Sequence, residues 1–299
     1  MFFHTQKLIN EIVQGEPDPA AANALQEGLG GQFGEMRTMM QYLFQSFNFR
    51  GQATPFKDLI QGVGIEEISH VELIATTINQ LLDGAPGYKG NGTPGAGGKT
   101  PLSPALSEGN IHHFLVGAQG ALPVDSVGNP WSGSYVYASG NLVLDLLYNL
   151  MLESTGRLQK CRIYEMTDNP TARATISYLI ARDEAHEKVF AKALESLGVN
   201  WGTVLPIPSF DASKYPEVKR LIDEGANNVQ HHWRLDGSMM SAIFAGSSPF
   251  NDGTTIETTD DPPEGFDIPQ APERPEEFSP GLTPELEKMA EQLSALQAE

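Results

Sequence analysis

Ionisable side chains interrupt the apolar stripes of long helical segments, and this feature constrains the fold more than any other. Amphipathic helices repeat their apolar residues every three or four positions. The stripe of residues 55–82 contains Glu67 and His70 one turn apart, and that of residues 170–197 contains Asp183 and His186. A buried carboxylate is costly unless it is paired or binds a metal. The segments must therefore pack so that these groups meet.

Two further segments with helical periodicity carry the same signal. Residues 31–48 place Glu35 on their stripe, and residues 141–165 place Glu153 there. The chain order is thus a single Glu, Glu-x-x-His, a single Glu and Asp-x-x-His. Di-iron and di-manganese carboxylate bundles use one Glu from each of two helices and Glu-x-x-His from each of the others. The pattern predicts a dinuclear metal site, with Asp in one Glu position.

The connections between the four segments predict how they are arranged. A short link, RGQAT, joins the first two segments, and the turn TDNP joins the last two. More than fifty residues separate the two pairs and begin with a Gly- and Pro-rich stretch. This arrangement predicts an all-α four-helix bundle with one long crossover between its second and third helices. We assign residues 1–198 to the bundle and residues 199–299 to a C-terminal extension.

The extension has a different character from the bundle. Residues 216–234 (PEVKRLIDEGANNVQHHWR) are compatible with a helix, and TPELEKMAEQLSALQ predicts a short helix near the end. Residues 246–282 show no sustained period and cannot form a core alone. They do contain apolar side chains at irregular intervals, which suit an arm lying in a groove of a neighbouring subunit. These side chains are Phe250, Ile256, Phe266, Ile268 and Phe278.

Composition excludes several classes of function. The 299 residues include 38 Asp and Glu against 19 Lys and Arg, a formal net charge of −19, which disfavours nucleic acid and anionic membranes as partners. Cys161 is the single cysteine, so an intramolecular disulfide and a Cys-based zinc site are excluded. Lys7 and Glu11 interrupt any secretory signal, and no apolar run reaches the ~18 residues of a membrane span. A cytoplasmic protein is expected.

The remaining charged residues near the motifs have ordinary interpretations. Glu66 and Glu72 flank the first motif, and we expect them to face solvent, as charged residues on helices usually do. His112 and His113 fall in the crossover and are expected to serve packing or surface roles. A single Glu-x-x-His would be weak support for a metal site. The specific signal is the order and spacing of all four helices.

Four stretches of the sequence resemble the non-haem manganese catalases. The resemblance covers most of residues 1–210 and weakens in the C-terminal third. An acidic, Pro-rich arm is nevertheless also typical of that family. The matching stretches are FGEMRTMMQYLFQSFNFRG, IEEISHVELIATTINQLL, SGNLVLDLLYNLMLE and YEMTDNPTARATISYLIARDEAHE.

The resemblance implies five protein ligands for two manganese ions per subunit. Glu67 would bridge the two ions. Glu35 and His70 would complete the site of one ion, and Glu153 and His186 would complete the site of the other. Imidazole and carboxylate ligands suit Fe²⁺ as well as Mn²⁺, so the choice of manganese rests on the resemblance alone.

The resemblance also implies roles around the ligands. Tyr42 matches a tyrosine that hydrogen-bonds in the outer shell, and Lys160 matches a lysine of the approach channel. Asp183 stands where some members have a Glu acid/base, so a proton role and direct ligation both remain open. Some members bind structural calcium through two Asp residues on the second helix. Asp58 matches the first of these, whereas Gly62 stands at the second.

The implied activity is dismutation of hydrogen peroxide to water and dioxygen by a homohexamer. The alternative from another class is a ferritin-like iron-storage or structural coat protein with a vestigial dimetal site. Ferritin subunits are usually shorter, and the long extension speaks against that alternative. A di-iron oxygenase would need a pocket for an organic substrate, of which the sequence gives no sign. Metal analysis together with oxygen evolution from peroxide separates these classes.

Overall fold

The computed structural model describes residues 4–82, 110–204, 211–269 and 284–297. The helices in chain order are α1 (Pro19–Gly30), α2 (Glu35–Phe47), α3 (Thr54–Leu82), α4 (Ile111–Leu115), α5 (Leu142–Met166), α6 (Pro170–Ser196), α7 (Trp201–Val204), α8 (Pro216–Asp223), α9 (Ser241–Phe244) and α10 (Pro284–Gln297). The short strands are β1 (Val229–His231), β2 (Gly246–Ser247) and β3 (Thr255–Thr259).

Helices α2, α3, α5 and α6 are the four predicted from periodicity, so the four-helix bundle with one long crossover is confirmed. Helix α2 packs mainly against α3, and α5 packs mainly against α6. The Asn141 side chain caps α5 by accepting from Leu144 N. Asn169 caps α6, which begins at Pro170 as the TDNP turn predicts.

Helix α1 was not predicted. Asp18 caps it, because its side chain accepts a hydrogen bond from Ala21 N at 2.9 Å. Leu25 and Leu29 are buried on the face that packs against α3 and α5. The Ala- and Gly-rich sequence PAAANALQEGLG gives only a weak apolar stripe, which is why periodicity does not reveal this helix.

The apolar core is divided into two clusters, and the polar motifs lie between them. Along α3, residues 59–63 belong to one cluster and residues 73–82 to the other. Along α6, residues 172–180 and 189–194 are divided in the same way. Glu67, His70, Asp183 and His186 therefore occupy one polar layer with apolar packing on both sides.

Helices α2 and α3 approach each other closely beside this polar layer, at Gly64. A Cβ atom on Gly64 of α3 would lie 3.1 Å from the backbone nitrogen of Leu43 and 3.2 Å from Tyr42 Cβ. Only a residue without a side chain allows this spacing without displacing α2. Gly64 thus helps to bring the α2 side chains within reach of Glu67.

The extension forms a small sheet instead of the longer helix that residues 216–234 suggested. Helix α8 ends at Asp223, and Gly225 follows with a positive φ of 86°, which ends helices readily. The strand order is β1-β3-β2, with β1 parallel and β2 antiparallel to β3. These strands are the main departure from an all-α chain.

The predicted arm lies partly on its own chain. Ile256 in β3 is fully buried in the cluster that contains Phe190, and Phe250 packs against the same cluster. The docking of these two anchors on a neighbouring subunit was therefore wrong, because strand pairing folds them back onto the bundle. Phe266 and Ile268 are 39% and 37% exposed. Phe278 lies outside the described residues.

No helix in the described parts of the chain is both long and apolar enough to cross a membrane. The cytoplasmic location stays a prediction. The domain boundary at residue 198 also stays a prediction. The extension nevertheless packs closely on the bundle, since Met240, Phe244 and Ile256 share a core cluster with α3, α5 and α6.

Candidate metal centre

Five buried side chains of α2, α3, α5 and α6 form two adjoining groups capable of holding metal ions. The first group contains Glu35, Glu67 and His70, and the second contains Glu67, Glu153 and His186. Within each group the available ligand atoms lie within 4.8 Å of one another. The structure therefore brings together all five residues predicted as ligands, and their ligand role itself stays a prediction.

Glu67 is common to both groups and faces a different histidine with each oxygen. Its Oε2 lies 3.1 Å from His70 Nδ1, and its Oε1 lies 2.9 Å from His186 Nδ1. Thr38 Oγ1 donates to Glu67 Oε2 at 3.0 Å. The carboxylate is thus oriented across the midline of the site, as a bridging ligand requires.

Glu35 and Glu153 occupy matching positions on the two sides of Glu67. Glu35 Oε2 lies 3.8 Å from His70 Nδ1, and Glu153 Oε1 lies 3.7 Å from His186 Nδ1. Tyr42 donates its hydroxyl to Glu153 Oε1 at 2.5 Å. Burial and the charge of Glu153 raise the pKa of Tyr42 well above its ordinary value, so the phenol stays a donor.

The donors of this layer fit divalent cations. Glu153 Oε2 is buried without a hydrogen bond to any described residue. Buried carboxylates also outnumber buried cations here, and such an excess is tolerated when metal ions bind. Oxygen and imidazole donors of this kind suit Mn²⁺ and Fe²⁺. The acids are Glu35, Glu66, Glu67, Glu153 and Asp183, and the bases are Lys160 and Arg182.

Asp183 lies beside the two groups and belongs to neither. Its Oδ2 accepts from Lys160 Nζ at 2.7 Å, and the same nitrogen lies 2.9 Å from Glu35 Oε1. Burial raises the pKa of Asp183 to about 7, although the charge of Lys160 lowers it. This arrangement favours the proton role of Asp183 over direct ligation. Lys160 is itself buried, with 1% of its surface exposed.

Glu66 does not face solvent, and that prediction was wrong. The side chain is fully buried and accepts from Arg182 Nε at 2.6 Å. Burial alone would raise the pKa of Glu66, but the Arg182 guanidinium holds it well below its usual range. Glu66 precedes His70 by one helical turn, but this spacing alone does not distinguish it from a solvent-facing carboxylate, because its partner Arg182 is 116 positions away.

Asp58 satisfies its carboxylate within the protein. It accepts from Arg234 Nη1 at 2.9 Å and from Met239 N at 3.1 Å, and Ser238 also donates to it. A guanidinium therefore supplies the positive charge beside this carboxylate. Gly62, at the position of the second Asp, offers no side-chain oxygen. These contacts do not favour the calcium site that the resemblance raised.

The histidines of the crossover lie away from the polar layer. His113 is buried and its Nε2 lies 2.9 Å from Gln26 Oε1, whereas His112 is exposed. Burial and the neighbouring His112 lower the pKa of His113 to about 4. The packing and surface roles predicted for these two residues agree with their positions.

Comparisons with known proteins agree with this arrangement. A family model described as "Manganese containing catalase" matches residues 1–295. The chain is 43% identical over 237 residues to a manganese catalase of Bacillus subtilis (strain 168), covering 78% of this chain and 85% of the relative. It is 45% identical over 203 residues to an uncharacterized protein of that strain, YjqC, covering 66% and 70% respectively.

A solved structure shares the fold. The crystal structure of KatB, a manganese catalase from Anabaena, is similar with a TM-score of 0.57 and 24% sequence identity. The match covers 88% of this chain and 100% of the KatB chain. This likeness confirms the predicted ferritin-like bundle.

Proposed function

The chain belongs to the family of manganese-containing catalases, and from that premise we propose that it is an active catalase. The proposed reaction converts two molecules of hydrogen peroxide into two of water and one of dioxygen. One peroxide is reduced by two electrons and the other is oxidised by two. The proposed cofactor is a pair of manganese ions in each subunit.

One observation carries this proposal. Glu67 lies between two buried histidines, with one oxygen within 3.1 Å of His70 Nδ1 and the other within 2.9 Å of His186 Nδ1. A single carboxylate shared between two donor groups supports a dinuclear site more strongly than either group alone. Two adjacent metal ions, when bound, would give two electrons to the peroxide that is reduced and take two electrons from the peroxide that is oxidised.

The remaining ligands complete two similar sets of donors. Glu35 and His70 would hold one ion, and Glu153 and His186 would hold the other. Tyr42 donates to Glu153 and so fixes the direction of that carboxylate. Thr38 does the same for Glu67. The four helices thereby hold the ligands in place before any ion binds.

Asp183 and Lys160 are suited to move the protons. Peroxide must lose protons when it is oxidised and must gain them when it is reduced. Because the pKa of Asp183 is raised to about 7, its carboxyl group can both accept and release a proton near neutral pH. Lys160 Nζ donates a hydrogen bond to Asp183 Oδ2 at 2.7 Å and so fixes the orientation of the carboxyl group.

We also propose a cytoplasmic homohexamer. Phe266 and Ile268 remain 39% and 37% exposed, and Leu286, Met289 and Leu293 are exposed along α10. Apolar side chains spaced along a terminal segment are suitable contacts for a neighbouring subunit. The contact surface would then lie in the last part of the extension, beyond the small sheet.

Metal analysis and oxygen evolution test the proposal together. The purified protein should contain about two manganese ions per chain, evolve oxygen from peroxide and show no haem absorption band. His70→Ala should lower manganese content and activity together, while His112→Ala, a change at an exposed histidine, should alter neither. Iron uptake without oxygen evolution would instead favour the storage or structural alternative. Full manganese loading in His70→Ala would exclude His70 as a ligand.

A further inference from the structure

We propose that Glu66 is a positioning residue that orients both histidines of the metal centre, and that residues 226–233 of the extension hold Glu66 in place. This inference rests on the proposed function, because it assigns a role toward the same metal ions. It extends that function by making the C-terminal extension part of the site.

The two histidines lie between carboxylates on both sides. Their Nδ1 atoms face Glu67, as described above. Their Nε2 atoms face Glu66, whose Oε1 lies 3.6 Å from His70 Nε2 and 3.4 Å from His186 Nε2. The rings are nearly parallel, with centroids 5.6 Å apart and planes inclined by 23°. One carboxylate oxygen therefore faces the outer edge of both rings, at ion-pair distance and outside hydrogen-bond geometry, and neither Nε2 has a hydrogen-bond partner among the described residues.

Such a carboxylate has a defined effect on a ligating histidine. A metal-bound imidazole usually donates its second N–H to a carboxylate, carbonyl or water, which fixes the tautomer and the ring orientation. When Nδ1 of each ring binds a metal ion, the remaining ring proton is on Nε2, where Glu66 Oε1 faces it as the acceptor. Glu66 thus supports the same donor atom on His70 and His186.

Glu66 is itself held by three donors. Arg182 Nε donates to its Oε1 at 2.6 Å. Gln230 Nε2 donates to its Oε2 at 2.7 Å, and Trp233 Nε1 donates to the same oxygen at 3.3 Å. Two of these donors belong to the extension, although Glu66 lies in the middle of α3.

The extension also orients Arg182. The Nη1 atom of Arg182 donates to Ala226 O and, at 2.7 Å, to Val229 O, while Nη2 donates to Gln230 Oε1 at 2.9 Å. These contacts fix the guanidinium so that its Nε points at Glu66. Residues 226–233 therefore complete the outer side of the metal centre.

Manganese affinity of Glu66→Gln tests the proposal directly. Removing an outer partner of a ligand costs about 10- to 100-fold in metal affinity, so the dissociation constant for Mn²⁺ should rise by that factor. Competition with a chelator measures it without any assay of turnover. The electron paramagnetic resonance signal of the bound Mn²⁺ pair should also change, because the histidines are no longer held in one orientation. Glu72→Gln, the same change on the same helix, should alter neither.

A second variant keeps the test decisive if Glu66→Gln fails to fold. The single change leaves the buried charge of Arg182 unpaired, which is strongly destabilising. Glu66→Gln with Arg182→Gln removes both charges and keeps similar volumes. This double variant should fold and show the same 10- to 100-fold loss of Mn²⁺ affinity. Parental affinity and an unchanged spectrum in either folded variant would overturn the positioning role.

The two proposals can fail separately. If the parent protein binds two manganese ions but evolves no oxygen, the proposed function fails, and the effect of Glu66 on affinity still decides the positioning role. If the parent is an active catalase and Glu66→Gln binds manganese normally, the positioning role fails alone.

Discussion

The motifs Glu67-x-x-His70 and Asp183-x-x-His186 have the same spacing and the same depth, yet their carboxylates make different contacts. Glu67 lies between the two histidines and faces one with each oxygen. Asp183 instead accepts a hydrogen bond at Oδ2 from Lys160 Nζ at 2.7 Å. The two histidines, in contrast, are nearly equivalent, because both present Nδ1 to Glu67 and Nε2 to Glu66.

This difference shows what spacing alone does not determine. A turn of helix between a carboxylate and a histidine places both on one face of the helix. The neighbours then decide the role of the carboxylate. Thr38 orients Glu67 toward the centre of the site, whereas Lys160 pairs with the shorter Asp183 at its edge. We therefore predict that the carboxylate of the first motif binds metal and that the carboxylate of the second exchanges protons.

Glu67→Gln should cause the largest loss of manganese binding and of activity among the variants that distinguish the two motifs. The amide can no longer offer a negatively charged oxygen to each side, so both ions lose a ligand at once. We expect a loss of manganese affinity greater than the roughly 100-fold typical of outer-shell changes, together with loss of oxygen evolution. Metal content after gel filtration and oxygen-electrode assays measure both. Two tightly bound ions in this variant would show that Glu67 is not the shared ligand.

Asp183→Asn is the matching change in the other motif and should affect activity alone. We expect two manganese ions per chain and a loss of turnover on the order of 100-fold, since general acid/base groups contribute about 10²–10⁴. The pH dependence of activity should follow the ionisation of Asp183. With a pKa of about 7, Asp183 is ionised above neutral pH and protonated below it, so parental activity should change around pH 7.

That change around pH 7 should be absent from Asp183→Asn, whose side chain does not titrate. The control is the metal content, which should equal that of the parent. A variant that loses its metal would mean that Asp183 binds an ion after all. One that retains normal turnover and the parental pH profile would leave Asp183 only a buried partner of Lys160.

The smallest expected effect is on the free energy of unfolding. It comes from His113, a buried histidine that, unlike His70 and His186, faces no carboxylate. Burial and the neighbouring His112 lower the pKa of His113, beside Gln26, to about 4. Since the folded pKa of His113 lies below its unfolded value, the unfolded chain binds more protons as the pH falls from about 6.5 toward 4. This group therefore lowers stability across that range.

His113→Gln should remove this contribution. The parent should lose about 1–2 kcal/mol more stability than the variant between pH 7 and pH 5. Urea unfolding at the two pH values measures the difference. Equal losses in parent and variant would show that His113 is not held neutral by its surroundings.

The four bundle helices could be predicted because their signals are local. The apolar period of α3 gave residues 55–82, and the helix spans Thr54–Leu82. The TDNP turn supplied a cap and a first-turn Pro for α6. The same periodicity marked six polar side chains on apolar stripes, and the family resemblance reduced the predicted ligands to five by leaving out Asp183. A helix position fixes which face a side chain is on without reference to the rest of the chain.

The features that escaped prediction depend on distant partners. Strand β3 has the sequence TIETT, and its pairing with β1 and β2 determines where Ile256 is buried. Glu66 is adjacent to Glu67, and in the sequence it resembles any charged residue on a helix surface. Its partners Arg182 and Gln230 lie 116 and 164 positions away. No local pattern encodes such a contact.

The contacts of Arg182 impose an order on the assembly of this protein during synthesis. Every bundle helix is synthesised before residues 226–233. Until then Glu66 lacks Gln230 and Trp233, and Arg182 lacks the carbonyls of Ala226 and Val229. The nascent bundle can collapse around its apolar clusters, but its histidines are fully oriented only later. Manganese should therefore bind tightly only once nearly four-fifths of the chain has been translated, which reserves metal capture for chains that are almost finished.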